Sequence, residues 1–91
     1  MQEEHINIAE VCKSNTVTRD HGKVIHDLIA EKWNSADVIK IDFNNILIAS
    51  VSFLDEAFGN LAEDYTPEQI SRKLKLVNIK DFDRNLANNI Y

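Results

Sequence analysis

One segment of the sequence decides the fold, Ile41-Asp42-Phe43-Asn44-Asn45-Ile46-Leu47-Ile48-Ala49-Ser50-Val51-Ser52-Phe53-Leu54-Asp55-Glu56-Ala57-Phe58-Gly59. It opens on the end of a run rich in β-branched residues that begins at Val38, a pattern typical of a strand. After a turn at Asn44-Asn45 and a short apolar step, one helical face is apolar, formed by Leu54, Ala57, Phe58, Leu61, Ala62 and Tyr65. The hydroxyl of Ser52 and the carboxylate of Asp55 are typical of a helix start, so we expect this helix to begin at Ser52.

Strands and helices continue to alternate on both sides of this segment. The predicted elements are a strand over residues 4–12, a turn over 14–16, a helix from 18–20 to about 33, a short helix over 67–73, a strand over 74–77, and a last helix that begins at Asp81 and aligns Phe82, Leu86 and Ile90. This order predicts a small, single-domain, layered α/β fold over residues 1–91. We expect its helices to pack on a mainly parallel or mixed sheet.

Composition narrows the classes of function. The 91 residues carry 15 acidic and 10 basic side chains, a net charge of −5, which disfavours nucleic acid as a partner because phosphate binding depends on clustered Lys and Arg. Apolar runs are too short for a membrane span, and the acidic N-terminus is unlike a signal peptide. A single cysteine forms no internal disulfide, which favours a reducing compartment. Together with the short apolar runs, this leads us to expect a cytoplasmic protein without a membrane partner.

The motifs that carry common chemistries are missing from the sequence. The only two glycines stand alone, which excludes a glycine-rich phosphate loop. His21 and His26 project about 140° apart on the predicted helix, so they do not converge on a metal; we expect His21 half-buried and His26 in solvent. Cys12 has no identifiable base, which favours an inert thiol, and Asp42 is expected to cap the turn at Asn44. We therefore expect a non-enzymatic protein with no cofactor and no metal, while a cryptic enzyme that uses Asp42 or Cys12 stays open.

The segment around Ser52 resembles the STAS-like domains of unknown function, small bacterial α/β modules related to anti-sigma-factor antagonists. The resemblance is carried by Ser52-Phe53, Asp55-Glu56 and Ala57-Phe58-Gly59, and it extends from about Gly22 to Tyr91. In the related antagonists, a serine at the start of the corresponding helix is phosphorylated by a kinase-like ATPase, which binds the unmodified form and releases the modified one. Ser52 aligns with the second serine of their Asp-Ser-Ser-Gly motif. The resemblance thus implies a regulatory, partner-switching role.

Two hypotheses about function follow. The first is a protein-interaction module that binds a protein partner, such as a kinase-like ATPase regulator. Its candidate phosphoacceptor, or helix N-cap, is Ser52, and its candidate partner-binding residues are Ser50, Phe53, Asp55, Glu56 and Asn60. The alternative is a small acidic inhibitor or antitoxin-like protein, in which Glu56, Glu63 and Asp64 act collectively on a partner. Phe53 could form part of this contact surface or pack beneath a neighbouring loop, and the sequence leaves both possibilities open.

Overall fold

Two parallel sheets and four α-helices make up the part of the chain that the computed structural model describes, residues 2–79. The elements are β1 (Glu3–Asn7), α1 (Ile8–Cys12), β2 (Thr16–Val17), α2 (Arg19–Lys32), β3 (Val38–Asp42), β4 (Ile48–Ala49), α3 (Val51–Ala57), a 3-10 helix (Gly59–Glu63), α4 (Pro67–Lys73) and β5 (Leu74–Val77). The longest described helix, α2, has 14 residues, and no helix within residues 2–79 has the length and hydrophobicity needed to cross a bilayer. The last predicted helix, from Asp81, lies outside the described residues.

The larger sheet has three parallel strands in the order β1-β3-β5. Its register aligns Ile6 with Ile41, and Ile41 with Leu76. Side chains alternate between the two faces of a sheet, so these residues form one apolar face, while Lys40 and Asp42 belong to the other. The predicted α/β class with a parallel sheet is confirmed.

Helices α2 and α3 contribute the apolar side chains that complete the core. Ile25 and Ile29 of α2, and Phe53 and Leu54 of α3, belong to the same buried cluster as the isoleucines of β3. Gly22 of α2 packs directly against the backbone of Phe53 in α3, since it has no side chain to hold the two backbones apart. Val24, on the same helix as Gly22, is by contrast 47% exposed.

Local signals give the correct bounds for several elements. Thr18 precedes α2, and its backbone N–H donates to Nδ1 of His21 at 3.1 Å. At the start of α4, Thr66 and Gln69 each accept a hydrogen bond from the other's backbone N–H. The predicted strand at residues 74–77 and the half-buried His21 are also confirmed.

The prediction of one strand over residues 4–12 is wrong. β1 ends at Asn7, whose Oδ1 accepts a hydrogen bond from the backbone N–H of Glu10 at 2.9 Å and caps the short helix α1. α1 ends at Lys13, which adopts a left-handed conformation with φ of 54°. Cys12 therefore lies at the end of a helix and not on a strand, because the side chain of Asn7 gives the backbone a helical alternative.

The chain that follows α1 also differs from its prediction. Thr16, assigned to a turn, begins the two-residue strand β2, which pairs in parallel with β4. The helix predicted from Ser52 through Tyr65 is divided into α3 and the 3-10 helix, with Gly59 opening the second piece. Phe58 and Leu61 stay buried, since a three-residue period also places positions i and i+3 on one face. Apolar spacing alone does not distinguish the two helix types here.

Candidate functional site

Helix α3 begins at a serine, but at a different serine from the one predicted. The N-cap is Ser50, whose backbone is extended and whose Oγ accepts a hydrogen bond from the backbone N–H of Phe53 at 3.0 Å. The prediction that Ser52 caps the helix is therefore wrong. The backbone N–H of Ser50 donates to the carbonyl of Val17 in β2 at 3.1 Å, so strand pairing ends at this residue and the helix can begin with Val51.

Ser52 lies inside the first turn of α3 and is partly exposed. Its hydroxyl forms no hydrogen bond with another residue between 2 and 79. The hydroxyl is thus not required for capping, and solvent reaches the residue.

Three large apolar side chains are exposed beside the helix start. Leu47 is 54% exposed, Ile48 56% and Val51 60%, and they account for three of the five large hydrophobic residues that are exposed in the described chain. We call these three residues the junction patch. By sequence, residues 46–49 form only a short apolar step, and their exposure was not predicted. An apolar run that ends at a serine N-cap was the available signal.

Backbone hydrogen bonds hold the junction patch in place. The carbonyl of Asn15 accepts from the backbone N–H groups of Leu47, at 2.8 Å, and Ile48, at 3.2 Å. β2 and β4 then pair over two residues, so the segment before α3 is fixed to the strand that precedes α2. The backbone that carries Leu47 and Ile48 is therefore hydrogen-bonded to neighbouring parts of the fold.

Phe53, a candidate partner-binding residue, is fully buried. Its ring packs edge-on against Phe58, with 6.2 Å between the ring centroids. Of the two possibilities left open for Phe53, the contact surface is therefore wrong, and the side chain is packed in the core. Phe53 flanks the apolar stripe of α3, and α2 packs against that flank, where the backbone of Phe53 faces Gly22. A helical pattern read on one helix does not show which flank a second helix covers.

The acidic candidates divide into one exposed residue and one paired residue. Asp55 is exposed, whereas Glu56 is half-buried. Glu56 accepts a hydrogen bond from Nδ2 of Asn60 at 3.0 Å, and it lies 3.6 Å from the guanidinium of Arg19. The structure brings Glu56 and Asn60 together one helical turn apart, and the Arg19 contact ties this side of α3 to the start of α2.

Asp42 lies at the carboxyl end of β3 and is almost buried. Its Oδ1 accepts hydrogen bonds from the backbone N–H of Asn44 at 2.8 Å and from Nδ2 of Asn78 at 2.9 Å, and its Oδ2 lies 3.1 Å from Nε2 of His5. Burial would raise the pKa of this carboxyl, but the bonds to Asn78, Asn44 and His5 together hold the pKa below its ordinary value. The predicted turn cap at Asn44 is confirmed, and Asp42 additionally joins β1, β3 and the end of β5.

The remaining titratable side chains do not assemble a metal site. No group of three or more His, Cys, Asp or Glu side chains within residues 2–79 could hold an ion. Cys12 is partly buried, and burial raises the pKa of its thiol, which disfavours the nucleophilic thiolate. The exposed position predicted for His26 is wrong, since it is half-buried and its buried Nδ1 has no partner among the described residues. His26 lies one turn after Gly22, at the edge of the helix face that packs on α3.

Comparison with known protein families identifies a match over most of the chain. The model of a family described as the STAS-like domain of unknown function matches residues 21–84, more than half of the chain. The matched span includes α2 from its third residue onward, β3 and the whole junction before α3. No curated protein and no solved structure matches the chain.

Proposed function

The chain belongs to the family of STAS-like domains of unknown function, and from that premise we propose that it is a non-enzymatic protein-interaction module that binds a protein partner through the start of α3. The observation that supports this proposal is the exposure of Leu47, Ile48 and Val51 around the Ser50 cap. Exposed apolar side chains that cluster within five residues of chain are typical of interaction surfaces, whereas scattered ones are ordinary.

Charge defines the rim of the proposed surface. Asp55 is exposed one turn into α3, and Glu56 carries a negative charge that Arg19 only partly offsets at 3.6 Å. The surface therefore combines an apolar centre with an acidic border. A complementary partner presents an apolar groove with a basic border. The attraction between the two borders would favour encounter and orientation more than affinity.

Ser52 is the residue that we propose controls binding. It lies between Val51 of the junction patch and the acidic border, and Asp55 and Glu56 follow it by three and four residues. These spacings place side chains on one face of a helix. A phosphate on Ser52 would add a charge of about −2 beside the carboxylates and the apolar patch. Because a dianion beside Val51 would have to lose its hydration against the partner's apolar groove, we expect the modified protein to leave its partner, as partner switching requires.

Site-specific photocrosslinking tests the proposal. A photoreactive amino acid replaces Val51 and, as a matched control, Val24, which is 47% exposed on α2. We expect Val51 to yield one discrete protein adduct in extracts of the source cells, and we expect that protein to be an ATP-binding, kinase-like regulator. Crosslinking of equal strength at Val24, or none at Val51, would show that the junction patch is not the interface.

Measurements of binding to the purified partner then test the proposed surface and the proposed control by Ser52 separately. We expect Ile48→Ser, Ser52→Asp and Glu56→Lys each to weaken binding, and Ser52→Ala to preserve it. A normal affinity for Ser52→Asp would remove the switching part of the proposal. A normal affinity for Ile48→Ser as well would remove the surface itself.

A further inference from the structure

A cleft of about 290 Å³ lies away from the residues used above. It opens between the end of α2, the loop that leads into β3, and α4. Its lining residues are Trp33, Asp37, Gln69, Arg72 and Lys73. None of them belongs to the junction patch or to the acidic border of α3, so the cleft needs an explanation of its own.

The walls of the cleft are well ordered. Gln69, Arg72 and Lys73 are spaced i, i+3 and i+4 on α4, so one face of this helix forms one wall. Trp33 forms another and is only 6% exposed. Its ring stacks on Tyr65 with 4.0 Å between centroids and 17° between planes. The tryptophan is thus fixed, and its accessible edge gives the cleft an apolar side.

Two cations line the cleft. Nζ of Lys73 donates to the carbonyls of Trp33, at 2.6 Å, and Ala36, at 2.7 Å, and it lies over the Trp33 ring, 5.4 Å from the ring centroid. Lys73 is therefore a fixed positive charge at the edge of the cleft. The guanidinium of Arg72 donates to Glu68 at 2.6 Å through one nitrogen, and its remaining donors form no hydrogen bond within the described chain. An arginine with free donors suits a carboxylate, which it can bind through two parallel hydrogen bonds.

A carboxylate completes the cleft. Oδ2 of Asp37 accepts a hydrogen bond from the backbone N–H of Gln2 at 2.7 Å, and Oδ1 has no hydrogen-bond partner among residues 2–79. Asp37 would repel a simple anion, and Arg72 and Lys73 would repel a simple cation. A molecule that carries both charges satisfies both sides of the cleft.

We propose that this cleft binds a small zwitterion with the chemistry of a free apolar α-amino acid. Arg72 binds the carboxylate and Lys73 adds positive charge beside it, Asp37 binds the ammonium group, and the ligand's side chain packs against the edge of Trp33. The volume suits only a small ligand of this kind, because it lies just below the range of about 300–1,000 Å³ that small-molecule sites occupy. The proposal is independent of the junction patch and of its partner.

Fluorescence of Trp33 tests the proposal directly, since this residue is the only tryptophan in the chain. Leucine is compared with isoamylamine, which lacks the carboxylate, and with isocaproate, which lacks the amine. We expect a saturable change with leucine in the millimolar range or below, because the binding groups are largely solvated. We expect each analogue to bind at least about tenfold more weakly. The absence of saturation with leucine and with the other apolar amino acids, or equal affinity for the analogues, would overturn the proposal.

Two substitutions test which residue binds each charged group of the ligand. We expect Arg72→Gln to weaken leucine but not isoamylamine, and Asp37→Asn to weaken leucine but not isocaproate. Lys75→Gln is the matched control, because Lys75 is an exposed cation outside the cleft that donates to the carbonyl of Ser71. If Asp37→Asn disturbs folding, Arg72→Gln still decides, since the Arg72 side chain is 77% exposed. Unchanged leucine affinity in Arg72→Gln would contradict the proposed site.

Discussion

The α-carbon of Gly22 packs against the backbone of Phe53, so closely that a Cβ at this glycine would lie 2.7 Å from the Phe53 carbonyl oxygen and 2.9 Å from Cβ of Glu56. These contacts leave no room for a methyl group, because one of them is with backbone. This contact sets the distance between α2 and α3, and therefore the position of the proposed interaction surface relative to the rest of the core.

The first prediction follows from that contact. We expect Gly22→Ala to destabilise the protein by about 1–3 kcal/mol, although alanine is the better helix former, because overpacking outweighs helix propensity. Urea unfolding followed by circular dichroism measures the change. Lys23→Ala, an exposed substitution on the same helix, should be nearly neutral. A Gly22→Ala protein as stable as the wild type would show that the helices are farther apart than described.

The second prediction compares two neighbouring serines. We expect Ser50→Ala to lower the free energy of unfolding by about 1 kcal/mol, because it removes the N-cap acceptor of α3. Ser52→Ala should change it by less than about 0.5 kcal/mol, as is usual for a surface substitution that breaks no hydrogen bond. Each alanine variant is the control for the other in the same urea titration. The reverse order of stabilities would assign the cap to Ser52.

The third prediction concerns acid stability. The pKa of Asp42 is lower in the folded protein than its ordinary value of 3.8, so its contribution to stability is complete above that value and is lost as the pH falls through the folded pKa. We expect the stability difference between wild type and Asp42→Asn to be constant at neutral pH and to shrink in acid. Asp55→Asn, at an exposed carboxylate, provides the comparison. A difference that grows towards low pH would contradict the described hydrogen bonds.

The fourth prediction separates the interaction module from the acidic inhibitor. An apolar surface with a charged border should keep most of its affinity as salt is raised, whereas binding by collective charge falls steeply. We expect the combined variant Glu56→Gln, Glu63→Gln and Asp64→Asn to bind the captured partner within a few-fold of wild type. Titration calorimetry at low and high salt measures both effects. Loss of binding in this variant, together with normal binding by Ile48→Ser, would favour the inhibitor.

Much of the fold was predictable because its signals are local. Val38–Asp42 is a run of β-branched residues, Thr66 and Gln69 form a capping box before α4, and Thr18 marks the start of α2. Each pattern depends on residues within one element, so no knowledge of the neighbouring element was needed. The strand over 74–77 belongs to the same group.

The candidate site was less predictable. Ser50 and Ser52 are both plausible caps by sequence, and the pairing of Ser50 with Val17 in β2 selects the first of them. The helical pattern of α3 alone does not show whether Phe53 is buried or exposed. Its burial depends on the packing of α2 against α3. The cleft at Trp33 was not predicted. Its lining residues come from the end of α2 and the following loop on one side, and from α4, which is far away in sequence, on the other.

The sequence by itself determined the alternation of strands and helices and the family. Both depend on residues close together in the chain, namely on hydrophobic spacing, helix caps and a short motif. The tertiary structure alone decided which side chains face solvent at the start of α3 and which residues line the cleft. The physical reason is that burial is a property of pairs of elements. Whether Phe53 is covered and Val51 exposed depends on where α2 crosses α3, and that crossing is set by a glycine 31 positions before Phe53.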